Sequence, residues 1–85
     1  MKTVIYTRGQ GAQQQIEACE RFAGERGLDI KAITESPEEL ENAILTGEYS
    51  IVLVSHISRL TRRYDEYLRM KRVFESLGIE IAAAQ

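Results

Sequence analysis

The sequence predicts an α/β fold: a three-layer open sheet of about four parallel strands with helices on both faces, in the order β-α-β-α-β-α-β. Three observations predict it. Short β-branched or apolar runs alternate with longer helix-forming stretches, the pattern of parallel strands joined by right-handed crossovers. One run, Ile51–Val54, is apolar at every position, as a strand buried on both faces requires. Glycines stand where helices should stop, at Gly27, Gly47 and Gly78.

The elements follow in order. Thr3–Tyr6 is β-branched and aromatic and reads as a short strand, broken off by Gly9 and Gly11. From Ala12 to Arg26 helix formers dominate, with Ile16, Cys19 (or Ala18), Phe22 and Ala23 spaced on one face. Leu28–Ile33 alternates apolar and polar residues, a second strand. Ser36-Pro37-Glu38-Glu39 is a helix start, with Ser36 as cap, Pro37 in the first turn and Glu39 placed for a capping box. That helix turns Leu40, Ala43 and Ile44 inward. After Ile51–Val54, a longer helix runs from about Arg62 to Leu77 with Tyr64, Tyr67, Leu68, Phe74 and Leu77 as its apolar stripe. Ile79–Ala83 forms the last strand.

Eighty-five residues make one domain, 1–85, and the chain shows no repeat, linker or low-complexity tract. The single cysteine, Cys19, has no internal partner for a disulfide and reads as core packing. No apolar run approaches the length of a signal peptide core or a bilayer span, so a cytoplasmic protein without membrane contact is expected. His56 is the only histidine and has no cysteines or histidines to share a metal with; neither a metal nor a cofactor is expected.

A net charge of −2 excludes a general nucleic-acid-coating protein, but the mean hides an asymmetry. Five glutamates and no basic residue lie between Glu35 and Glu48; six basic residues face two acids between Arg59 and Arg72. In open parallel sheets, ligands sit beyond the carboxyl ends of the strands where the strand order reverses. Two stretches end up there, Thr7–Gln13 and Ser55–Arg62, and both carry arginine. Arg59 and Arg62 are spaced by one helical turn and can point the same way. Arg8 joins them if the first and third strands are neighbours. Converging guanidiniums repel unless an anion lies between them, and their planar forks match phosphate oxygens. Ser58, His56 and Arg63 stand at the edge of that site. The competing account is that each arginine makes an ordinary surface ion pair.

The quoted residues resemble a family. Tyr6-Thr7-Arg8 followed by Gln15-Ile16-Glu17-Ala18-Cys19-Glu20 is similar to the opening of serine-recombinase (resolvase/invertase) catalytic domains. Ile51-Val52-Leu53-Val54-Ser55-His56-Ile57-Ser58-Arg59-Leu60-Thr61-Arg62 resembles that family's apolar strand followed by Leu-Asp-Arg-Leu-x-Arg. The resemblance implies a resolvase-like fold over nearly the whole chain. It also implies a chemistry in which a serine attacks a DNA phosphodiester while arginines neutralise its charge, as nucleophilic catalysis with electrostatic stabilisation demands. Carried over, Arg8, Arg59 and Arg62 match three of those arginines.

The departures bear on activity. Where the family has Val-Ser after Tyr-x-Arg, this sequence has Gly9-Gln10, and an amide is not a nucleophile. Ser58 takes the place of an aspartate. The loop that in the family carries a further active-site arginine is reduced to Thr34-Glu35-Ser36, and the family's long dimerising helix and C-terminal DNA-binding domain are not expected here. Gln13, Gln14 and Gln15 read as a plain helix N-terminal turn, and Tyr64 and Tyr67 as core and rim packing.

Three functions compete. A catalytically inactive domain would bind DNA phosphates, or pair with a recombinase or a second copy of itself. A strand-exchange enzyme with a displaced nucleophile would need another hydroxyl; Ser58 is better placed than Thr7, which points to the other side of its strand from Arg8. A small phospholigand-binding regulatory domain ranks last, because neither a Gly-x-Gly-x-x-Gly fingerprint nor a P-loop is present.

Overall fold

The computed structural model describes residues 1–85, which form strands β1 (Lys2–Tyr6), β2 (Asp29–Thr34), β3 (Ile51–Val54) and β4 (Glu80–Ala83) and helices α1 (Ala12–Arg26), α2 (Pro37–Leu45) and α3 (Tyr64–Ser76). All pairings are parallel, in the order β2-β1-β3-β4. The step from β1 to β2 runs one way along the sheet, and the later steps run the other way. Right-handed crossovers therefore send α1 to one face and α2 and α3 to the opposite one.

Side chains alternate between the two layers. Val4 and Tyr6 with Val52 and Val54 pack beneath Leu40 of α2, Phe74 of α3 and Leu60 of the link that precedes α3. Ile5, Ile51 and Leu53 pack against Cys19 and Ala23 of α1. The central strands are thus sealed on both sides, which is what the unbroken apolar run in β3 requires.

The helix boundaries have local causes. Ser36 Oγ accepts a hydrogen bond from the Glu39 amide at 3.1 Å, and Glu39 reaches back to the Glu35 amide at 3.2 Å, one residue earlier than the usual capping box. The α3 helix starts at Tyr64 rather than Arg62, because Thr61 Oγ1 accepts from the Arg63 amide and holds the chain extended there (Arg63 φ −101°, ψ 119°). Its apolar stripe also differs from expectation. Tyr64 and Leu77 are 74% and 58% exposed, while Phe74 is buried and Met70 packs against the core. The β2 strand reaches Thr34, whose hydroxyl donates to the Ile5 carbonyl at 3.0 Å. No helix is long and apolar enough to cross a membrane.

Candidate functional site

The switch in direction between β1 and β3 leaves a crevice beyond their carboxyl ends, and the two arginine-bearing loops fill its walls. After β3, His56 caps a single 3-10 turn, Ile57–Arg59, by accepting from the Ser58 amide through Nδ1 at 3.1 Å. That turn ends at Leu60, which is buried beneath α3. Arg59 and Arg62 consequently do not share a helical turn as the spacing suggested: Arg62 lies in the irregular link before α3. They converge all the same. A cavity of about 470 Å3 is lined by Arg8, Gly9, Ser58, Arg59, Leu60, Thr61, Arg62 and Glu66.

The electrostatics favour an anion there. None of Arg8, Arg59 and Arg62 makes an ion pair; the four salt bridges of the chain involve Lys31, Arg63, Arg69 and Lys71. The surface-ion-pair account therefore fails for the three arginines taken together. Glu66 is the single acid in the lining, so three guanidiniums outnumber it. Arg59 is half-buried and its Nη1 donates to the Arg8 carbonyl at 3.1 Å, tying the β3 loop to the β1 loop. Arg63 is drawn to Asp65 at 3.2 Å and stays outside this lining.

The β1 loop is held by a residue that sequence reasoning passed over. Gln15, expected in a plain helix turn, is 3% exposed. Its Oε1 accepts from the Arg8 amide at 3.1 Å, and its Nε2 donates to the carbonyls of Arg8 (3.0 Å) and Gln10 (2.9 Å). One side chain thereby satisfies three loop backbone groups. The signal was available: Gln15 lies four residues before Cys19 on the inward face of α1, where a polar side chain needs buried partners.

Gly9 sits at φ +76°, and a Cβ built there would lie 3.4 Å from Arg59 Nη1. A β-branched residue at that φ would be strained, so the valine of the related pattern does not suit this loop. Gln10 is exposed and lines a different hollow, with Gln14, Ser55, Arg59 and Gln85, outside the three-arginine cavity.

The hydroxyls near the site are partnered. Thr7 is 1% exposed and its Oγ1 donates to the Thr34 carbonyl at 3.4 Å. Ser58 Oγ lies 3.0 Å from His56 Nδ1 at the cavity edge. Cys19 is fully buried on the α1 side; burial pushes its thiol up to about 11, and the Glu20 carboxylate adds to the rise. No group of three His, Cys, Asp or Glu stands close enough to hold a metal ion.

Comparison with known proteins agrees with this architecture. Among solved structures, the C-terminal catalytic domain of ISC1926 TnpA, an IS607-like serine recombinase, superposes with a TM-score of 0.85 at 18% identity, over 100% of this chain and 70% of that one. The N-terminal catalytic domain of TP901-1 integrase superposes with a TM-score of 0.84 at 24% identity, over 99% of this chain and 77% of that one. No curated protein matches. The family described as Resolvase, N terminal domain matches residues 5–85. The chain belongs to the resolvase N-terminal domain family, and its fold is that of serine-recombinase catalytic domains.

Proposed function

We propose that this domain binds DNA through its phosphates and does not cleave it. The observation that carries the reading is the cavity in which Arg8, Arg59 and Arg62 converge without ion-pair partners, while position 10 holds glutamine. Guanidinium forks are suited to bidentate capture of phosphate oxygens. Cleavage needs a nucleophile as well, and the amide of Gln10 supplies none.

The test is fluorescence anisotropy of a labelled duplex across a salt series. Three phosphate contacts give a log–log slope of about −3, and Arg62→Ala reduces its magnitude by about one while weakening binding to every sequence alike. Arg62 is exposed and outside any regular element, so its removal leaves the fold intact. Absence of binding at low salt, or indifference to Arg62→Ala, rejects the reading. On nicked duplex the wild type leaves no covalent protein–DNA adduct in intact-mass spectra; an adduct mapped to Ser58 would instead establish a strand-exchange enzyme with a displaced nucleophile.

A second reading, pairing with another protein chain, is favoured by a specific observation. Three large apolar side chains, Leu45, Val73 and Leu77, stand 74%, 56% and 58% exposed along one groove.

A further inference from the structure

Tyr64 is the one aromatic ring that the fold leaves exposed, at 74%; the other five are buried or half-buried. Its ring centroid lies 6.2 Å from that of Tyr67, with the two planes tilted by 39°. The spacing of three residues on α3 keeps the pair together, so Tyr67 braces Tyr64 on one side. The rest of the ring adds nothing to the core. It offers a flat apolar face to something outside the chain.

The surroundings of that face are cationic. Tyr64 and Tyr67 line a hollow of about 240 Å3 together with Arg62 and Arg63, and no aspartate or glutamate lines it. Arg63 is engaged by Asp65 at 3.2 Å, whereas Arg62 makes no ion pair. Arg62 also lines the three-arginine cavity, as do Ser58 and Thr61, so the hollow and the cavity adjoin along the link before α3. Phosphate cradle and aromatic face therefore share one arginine, two residues before the open ring.

We infer that the DNA this domain takes is unpaired where it meets the start of α3: a phosphate sits with Arg62 while the adjoining base stacks on the open face of Tyr64. The inference rests on the phosphate reading of the arginine cavity and names the form of nucleic acid that suits it. In a duplex the faces of each base are covered by its neighbours in the stack, so a flat surface ring gains nothing. A single strand turns a base outward without breaking pairs, and aromatic rings beside a cationic groove are the usual means of holding one. Every base has a π-face, so no preference for one base sequence follows.

The experiment is fluorescence anisotropy of a labelled oligothymidylate and of a labelled duplex of the same length, with the full chain at one low salt concentration. The single strand binds more tightly than the duplex. Tyr64→Ala weakens single-strand binding by about 5- to 100-fold, the loss of one stacked base, and leaves duplex binding unchanged. Tyr64→Phe keeps the single-strand affinity, because the ring and not the hydroxyl makes the contact. Arg62→Ala weakens both. The chain has no tryptophan, so its tyrosine emission is readable: oligothymidylate quenches it, and Tyr64→Ala removes most of that quenching. Tyr64 is exposed, so the variant keeps the wild-type circular dichroism spectrum. A single strand that binds no better than the duplex, or that loses nothing to Tyr64→Ala, overturns the inference. If the duplex still responds to Arg62→Ala, the phosphate reading survives that result. Binding of neither form overturns both.

Discussion

Gln15 shows how much of the site depends on one side chain with both a donor and an acceptor. It must accept from the Arg8 amide and donate to two carbonyls, a combination only an amide provides at this position. Gln15→Glu removes the donor and sets a carboxylate against two carbonyl oxygens. A loss of about 2–3 kcal/mol is expected in urea unfolding, with weaker DNA binding in the same variant. Cys19 gives a second residue-scale prediction. Its thiol keeps its proton to higher pH in the folded chain than in the unfolded one, where it titrates near 9.0. Between these values the native state binds more protons than the unfolded state, so stability falls as pH rises through that window. The contribution is intact below pH 9.0 and is lost by about pH 11. Its size is about 2–3 kcal/mol, and Cys19→Ala flattens that part of a stability-against-pH curve.

Among the elements, α2 is the one whose start depends most visibly on a single cap. Ser36→Ala removes the bond to the Glu39 amide and the hydroxyl that meets the Glu39 carboxylate. It should cost about 1 kcal/mol, read as a lower denaturation midpoint with an unchanged slope. The sequence made this helix legible because serine, proline and glutamate each constrain its first turn locally. The α1 helix was legible to the residue for a similar reason: glycines at φ +77° and +68° bracket it. The α3 helix was read less well. Its expected first turn was displaced by a hydroxyl–amide bond at Thr61, which composition does not reveal, and its stripe was misassigned at Tyr64 and Leu77. Tyr64 opens the helix and Leu77 caps its end, so both lie beyond the stretch where Met70 and Phe74 meet the core. The meeting of Arg8, Arg59 and Arg62 at one cavity was legible in the sequence. Its geometry was not: Arg59 and Arg62 reach one cavity through a 3-10 turn and a link rather than along a helix, and the Gln15 clamp depends on a loop path that spacing alone does not reveal.

For the whole molecule, the arrangement of layers decides what tolerates change. Leu53 is fully buried in the central strand β3 and belongs to the cluster under α1. Leu53→Ala should cost about 3 kcal/mol by urea unfolding, a large share of what an 85-residue domain has to lose. The edge strand β2 is more forgiving. It alternates exposed and half-buried positions, and its register shifts opposite Thr3 and Val4, leaving Lys31 out of the pairing and in contact with Asp29 at 3.2 Å. A charged bulge of this kind blunts a free edge against further strands.

The bond from Arg59 to the Arg8 carbonyl joins residues 51 apart in the chain. No local segment can assemble the cationic cradle, since its halves meet only after β3 has slotted beside β1. Occupancy and folding are therefore thermodynamically linked: any polyanion that sits among these guanidiniums binds the native ensemble alone. By mass action it raises the melting temperature in proportion to the logarithm of its concentration over its dissociation constant. A calorimetric scan with and without short heparin would display that coupling directly, as an upward shift that fades when sodium chloride is added.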